Sequence, residues 1–125
     1  MANEVIRLAN VEREKRGLPP LIGNDEEYNR RCEQRALELT ELYDLNRPNG
    51  EEIFELFCWI NKSAGCVQKI YKGEISPEDL MFGAGGWMPA NGRPIGILDP
   101  IFTHIGVACV QSGGDLYWYM IIAKI

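Results

Sequence analysis

Few residues of this chain could carry chemistry, and His104 comes first among them. It is the only histidine in 125 residues, so it is the only candidate for an imidazole base near neutral pH. With a cysteine or serine within reach it could activate a nucleophile, but Cys109 would lie on the opposite face of a regular strand. A structural or cleft-lining histidine is the favoured interpretation, and no catalytic residue is predicted.

Four cysteines are present, at positions 32, 58, 66 and 109. They form no C-x-x-C pair, and a single histidine excludes the usual Cys2His2 zinc set. No metal site is predicted from them. A disulfide, with Cys58 and Cys66 the nearest pair along the chain, and buried free thiols both remain open.

Two further patterns favour ordinary structural interpretations. The segment 83–86 superficially resembles a phosphate loop, but it lacks the third glycine of G-x-G-x-x-G and a following Lys-Ser or Lys-Thr. No nucleotide site is predicted there. Five aromatic residues could line a ligand groove, although such residues more often belong to a core: Trp59, Trp87, Tyr117, Trp118 and Tyr119.

Composition limits the class of protein. Residues 1–125 are 46% hydrophobic, which predicts one globular domain. The net charge of -5, with no basic run longer than two residues, argues against nucleic acid as a partner. No apolar window is long enough to cross a bilayer, and the first residues lack the features of a signal peptide. We therefore expect either a protein that stays inside the cell or a mature domain given a new Met1.

The elements that would position these residues follow from periodicity. Segments 102–110 and 117–125 read as the strands of a hairpin joined by a glycine-containing loop. Both faces of the second strand are apolar, so it requires helices on both sides. A helix is predicted from Asn3, as its cap, to about residue 16, and a second one over 25–43 after a cap at Asn24.

Three shorter elements are predicted between these: a helix over 51–60, a strand over 67–71, and a helix that begins at a Ser76 cap and carries Ala84 and Trp87. Charged residues of the second helix and the following turn are expected to be solvated, with the arginines paired to neighbouring carboxylates. They are Arg30, Arg31, Arg35, Glu27, Glu38, Glu41, Glu51 and Glu52.

Four blocks of the chain resemble one known family, the bacterial members of the CAP superfamily, also called the SCP or pathogenesis-related-1 domain. They are segments 8–21, 34–39 and 47–50, and a C-terminal half containing Trp87-Met88, Asp99-Pro100 and Phe102-Thr-His-Ile-Gly-Val107. The resemblance implies an α+β fold, a three-layer α-β-α sandwich with a central antiparallel sheet. This agrees with the helix-covered hairpin derived above.

The resemblance also implies a cleft in which two His and two Glu can bind a divalent metal, and this chain departs from that pattern. Leu45 and Arg93 stand where the histidines are expected, and Gln68 and Ala90 stand where the glutamates are expected. Leu and Ala offer no ligand atom, and Arg93 would repel a cation. No cleft metal and no other cofactor are predicted. Arg93 could hold an anionic ligand, but pairing with an acidic neighbour is favoured.

The resemblance therefore favours a non-catalytic binding or interaction module with a degenerate cleft, formed by the four substituted positions and His104. Its ligand would be a small apolar molecule, a lipid or a protein. By resemblance, we expect it to act outside the cell or at the cell surface. Two alternatives remain: a metal-independent hydrolase, which requires His104 beside a Cys or Ser, and a structural domain of a larger secreted protein.

Overall fold

The computed structural model describes residues 2–83, 86–88 and 96–125. In this part of the chain the α-helices are α1 (Ala2–Lys15), α2 (Glu26–Glu41), α3 (Ile53–Leu56) and α4 (Pro77–Phe82). The strands are β1 (Cys66–Lys72), β2 (His104–Ser112) and β3 (Asp115–Ala123).

The strands form one antiparallel sheet in the order β1-β3-β2, so the last strand lies in the centre. The predicted hairpin is confirmed, with both strands shifted by about two residues. Its turn is Gly113-Gly114, with φ of 59° and 86°. Positive φ at both turn positions matches the right-handed twist of the flanking strands, and glycine adopts it without steric cost.

The two faces of β3 are buried under different helices, as predicted. Trp118, Met120 and Ile122 pack in a core with α1 and α4. Tyr119 and Ile121 pack in a second core with α2 and α3. The architecture is therefore the three-layer α-β-α sandwich.

Helix α2 approaches the sheet closely because β2 carries Gly106 at the point of contact. A Cβ atom there would lie 2.3 Å from Sγ of Cys32 and 2.7 Å from Cδ1 of Tyr28. The Tyr28 hydroxyl also donates a hydrogen bond of 3.0 Å to the carbonyl of Ile121. The missing side chain thus sets the distance between the helix layer and the sheet.

The predicted helix ends are partly right. Ser76 caps α4 as predicted, accepting the Asp79 N–H at 3.2 Å. The α2 cap is Asp25 instead of Asn24, because the Asp25 carboxylate accepts the N–H of Tyr28. Asn3 lies within α1 and does not cap it.

The predicted helices were also too long. The chain leaves α2 at Leu42, α3 spans a single turn, and α4 ends at Gly83, where the backbone becomes extended. Ala84 lies outside the described residues. Beyond it, the amide of Trp87 bonds back to the carbonyl of Leu80, so Trp87 packs in the core without belonging to the helix.

A buried arginine ties the end of α1 to distant chain. The Arg13 guanidinium donates hydrogen bonds to the carbonyls of Pro19 at 2.7 Å, Ile97 at 2.7 Å and Asp99 at 3.0 Å. Burial lowers its pKa, and the nearby Asp99 charge opposes that effect. The first helix is therefore fixed to the segment that leads into β2.

Candidate functional site

The structure connects two of the predicted cleft positions, Gln68 and Leu45, through the side chains of Tyr119 and Arg35. Gln68 lies on β1, on the sheet face covered by α2, and Leu45 lies in the loop that follows α2. His104 begins β2, at the other edge of the sheet. Ala90 and Arg93 lie outside the described residues.

Gln68 is engaged by a tyrosine from the central strand. The Tyr119 hydroxyl donates a hydrogen bond of 2.6 Å to Oε1 of Gln68. Burial raises the pKa of Tyr119 well above its usual value, so the phenol keeps its proton and remains a donor. The side chain at a predicted glutamate position therefore already has a partner within the protein.

Arg35 contacts both Tyr119, which is the partner of Gln68, and the backbone of Leu45. Its guanidinium carbon lies 5.2 Å from the centre of the Tyr119 ring, a cation–π arrangement. Its Nη2 donates to the carbonyls of Asp44 at 3.1 Å and Leu45 at 3.4 Å. Arg35 is 0% exposed, so its predicted solvated position is wrong. Position 35 lies on the same helix stripe as Cys32 and Leu39, which the helical period turns toward the sheet.

Glu38 balances the buried charge. Arg35 donates to its Oε1 at 2.9 Å, and Arg47 donates to both of its oxygens, at 3.0 Å and 2.8 Å. Burial alone would raise the pKa of Glu38, but the hydrogen bonds from Arg47 and Arg35 outweigh it and hold this pKa below the usual value. Glu38 was predicted to be surface charge, and that prediction is wrong. Glu41 is exposed, as predicted.

This network fixes the loop that carries Leu45. Arg47 is buried and also reaches Glu51 at 3.3 Å, so both ends of the loop are held. Leu42, Tyr43 and Leu45 nevertheless remain 42–48% exposed. Together these three residues form what we name the apolar loop surface. Apolar side chains on an anchored loop would lose less conformational entropy on binding a partner than those on a mobile loop.

The donor atoms at this site do not suit a divalent cation. Leu45 provides no ligand atom, and the amide oxygen of Gln68 accepts the Tyr119 proton. The buried guanidinium of Arg35 adds positive charge beside both. Throughout the described residues, no group of three His, Cys, Asp or Glu side chains could hold a metal ion.

His104 has a different environment. Its Nδ1 lies 2.7 Å from Oγ1 of Thr103, and that oxygen accepts the N–H of Ile125 at 3.2 Å. The Thr103 hydroxyl and Nδ1 therefore share a hydrogen bond whose donor depends on the histidine tautomer. Burial lowers the pKa of His104, and the Asp25 charge opposes that effect. Cys109 belongs to the opposite face of β2, and no Ser or Cys in the described ranges bonds to His104.

The four cysteines are free thiols. Cys32 is buried against the sheet, and burial raises its pKa above the ordinary range, so it stays a neutral thiol. Cys66 and Cys109 are half-buried on opposite edge strands, and Cys58 is exposed in the turn after α3. The thiols therefore do not converge on one site.

Sequence reasoning missed the residues that hold this site together. Arg35 could have been placed by extending the stripe of Cys32 and Leu39 by one position. Tyr119 was considered as an aromatic groove residue, and strand alternation placed it on the same face as Tyr117 and Ile121, but no pattern assigned α2 to that face. No sequence pattern indicates that Arg47 is buried. Its burial depends on pairing with Glu38, and the irregular backbone between the two residues brings them together.

Comparisons with known proteins bear on the family and on the fold. A family model described as CAP, the cysteine-rich secretory protein family, matches residues 6–122. The uncharacterized protein YkwD of Bacillus subtilis (strain 168) is 34% identical over 114 residues, covering 88% of this chain and 42% of that protein. The chain therefore spans less than half the length of this curated relative.

Two solved structures have the same fold at low sequence identity. An extracellular, SCP-domain-containing protein of Bacillus anthracis str. Ames superposes with a TM-score of 0.78 at 13% identity, over 99% of this chain and 40% of that one. An outer surface protein of Borrelia burgdorferi gives 0.71 at 13% identity, over 96% and 89%. Within residues 2–83, 86–88 and 96–125, no helix is long and apolar enough to span a membrane.

Proposed function

Because the chain belongs to the cysteine-rich secretory protein (CAP) family, we propose that it is a binding module without catalytic activity. The observation that carries this proposal is the hydrogen bond from Tyr119 to Gln68 beneath the buried Arg35. This hydrogen bond engages Gln68, at a position where the family resemblance would place a metal-binding carboxylate. Among the described residues, the site then holds neither an open ligand set nor a paired nucleophile and base.

The apolar loop surface is the part of the site through which binding would occur. Its three side chains are exposed, while the backbone beneath them is held by Arg35 and Arg47. The ligand would present an apolar group to it, from a small molecule, a lipid or a protein. The two structural neighbours are an extracellular and an outer surface protein, which supports the further proposal that this domain also works outside the cytoplasm.

The first test is metal binding by the purified protein after chelator treatment. Calorimetric titration with zinc and then calcium should give no stoichiometric heat, and elemental analysis of the untreated protein should find no bound metal. Tight one-to-one binding of either ion would contradict the proposal.

A second measurement tests the surface itself. The fluorescence of the apolar probe 1-anilinonaphthalene-8-sulfonate should increase when the native protein is added. With the variant Leu42→Ser/Leu45→Ser, this increase should be several-fold smaller. The matched control is Ile101→Ser, which removes an equally exposed apolar side chain from another segment. Equal loss in both variants would show that the loop is not a preferred apolar site.

A further inference from the structure

Strand β2 forms an edge of the sheet that is paired along only part of its length. Ile22 forms a parallel bridge at its start: the Ile22 amide donates to Thr103, and the Ile105 amide donates to Ile22 at 3.0 Å. The Ile105 amide therefore points away from β3. Beyond Ile105, no described segment continues this pairing.

The direction of the Ile105 amide determines that of the following ones. Peptide groups alternate along a strand, so the N–H and C=O groups of Val107, Cys109 and Gln111 also face away from β3. The two-residue turn after Ser112 leads to the same assignment. Ser112 and Asp115 flank the turn as a hydrogen-bonded pair, so the even-numbered residues of β2 face β3 and the odd-numbered ones face away. In the described part of the chain, no partner accepts from these three amides.

The edge also lacks the usual protection against pairing. Native edges are commonly blocked by charged residues, proline or a bulge. Residues 105–111 contain no charge and no proline, and their register with β3 is unbroken. An unblocked edge of this kind is a template for another strand.

A groove runs along this open edge. It has a volume of about 520 Å³ and lies between the start of α1, at Ala2, and the outer face of α2, at Glu33 and Leu37. Residues 107–111 form its floor. Leu37 is 58% exposed, so the groove wall offers an apolar contact beside a single carboxylate.

We propose that this groove binds an extended peptide segment of another protein by strand addition to β2, with a basic residue of the peptide against Glu33. The open backbone groups would pair with the peptide main chain, and Leu37 would contact one of its alternate side chains. The negative charge of Glu33 would favour a peptide with a basic residue at that position. A second copy of this chain is the poorer occupant, since pairing two β2 edges would bring two Glu33 carboxylates together on chains that each carry a net charge of -5.

This inference is independent of the proposed function, because Gln68 and the apolar loop surface belong to the other side of β3. Loss of probe binding at the loop would leave the β2 edge unchanged. Each proposal can therefore fail alone.

The test uses a capped, fluorescein-labelled heptapeptide of alternating valine and threonine with lysine at both ends, and a counterpart with glutamate at both ends. Fluorescence anisotropy should show that the lysine peptide binds more tightly. Glu33→Lys should weaken the lysine peptide by about three- to fivefold, as expected of one exposed ion pair, and should strengthen the glutamate peptide. Glu41→Lys makes the same charge change on an exposed position of α2 outside the groove and should change neither affinity.

Backbone pairing has its own signature. In amide hydrogen exchange followed by NMR, saturating lysine peptide should slow exchange at Val107, Cys109 and Gln111 at least tenfold. Ala108 and Val110 already pair with β3 and should be unaffected. Cys109→Pro removes one outward donor without removing a bond to β3, so it should weaken the peptide while the β3 amides stay protected.

Three outcomes would overturn the proposal. The first is that no peptide binds, and the second is that the peptide binds without slowing exchange at the three outward amides. The third is that, without peptide, exchange at these amides becomes slower as the protein concentration is raised. The last result would assign the edge to a second copy of the chain.

Discussion

At the scale of single residues, the Tyr119 hydroxyl and the Gln68 amide satisfy one another inside the protein. Tyr119 is fully buried, so its hydroxyl would be costly to leave without an acceptor. Gln68 supplies that acceptor at a position where the resemblance predicts a carboxylate. The amide of Gln68 is neutral, and the counter-charge of Arg35 is supplied by Glu38.

Tyr119→Phe tests this pair. We expect it to lower the free energy of unfolding by about 1–2 kcal/mol, because Oε1 of Gln68 loses its donor. Adding Gln68→Leu should recover part of the loss by removing the orphaned amide. Urea denaturation measures both variants. Tyr117→Phe is the control, since no described residue bonds to its hydroxyl, and it should change stability by less than about 0.5 kcal/mol.

Glu38 gives the site a pH dependence. Its pKa is held below the usual value of about 4.3, so its ion pairs stabilise the fold above that pH and are lost as the pH falls through the lower folded value. Glu38→Gln should cost about 3 kcal/mol at pH 7, since it leaves the buried Arg35 guanidinium without a counter-charge and leaves Arg47 with only Glu51.

The difference in unfolding free energy between wild type and Glu38→Gln should begin to narrow as the pH falls below the usual value of about 4.3, where the unfolded state takes up a proton. It should close as the pH falls through the lower folded value. Urea midpoints at pH 7, 5 and 3.5 measure it. Glu41→Gln, at an exposed position of the same helix, should match the wild type throughout. A difference for Glu38→Gln that stays constant with pH would contradict this assignment.

At the scale of elements, regular periodicity predicted structure well and irregular backbone did not. The hairpin, the helix cover of both faces and the Ser76 cap all follow from alternation, stripes and capping chemistry. The helix ends were misplaced because the backbone becomes extended at Leu42 and Gly83, before the helical pattern of the sequence ends. The prediction that Arg35 is solvated was wrong for another reason. An arginine at a core position is stable only with a partner such as Glu38, and the other members of that network are brought near by tertiary structure.

Gly106→Ala tests how α2 is seated on the sheet. The new methyl would overlap Cys32 and Tyr28, so we expect a loss of about 2–3 kcal/mol in the free energy of unfolding. Cys32→Ala should offset part of the loss, because it removes the atom nearest to the added methyl. Thermal and urea unfolding of the single and double variants give the coupling. Additive losses would mean that the helix moves away as a unit.

At the scale of the whole molecule, β3 holds both layers together. It pairs with a strand on each side and is buried on both faces. Its amides should therefore exchange only through global unfolding. Under native conditions the slowest exchange should occur at Tyr119, Met120 and Ile121, while the amides at the open edge of β2 should exchange much faster. Hydrogen exchange followed by NMR measures this order, and equal rates in β2 and β3 would contradict it.

The central place of β3 also bears on how the protein is made. Cys66 pairs with Ala123 across most of the second half of the chain, and β1 and β2 touch the sheet only through β3. Neither edge strand has a strand to pair with until residues 115–123 are available. The sheet therefore cannot form until β3 has been made, and in any state without a docked β3 both edge strands are open to wrong partners.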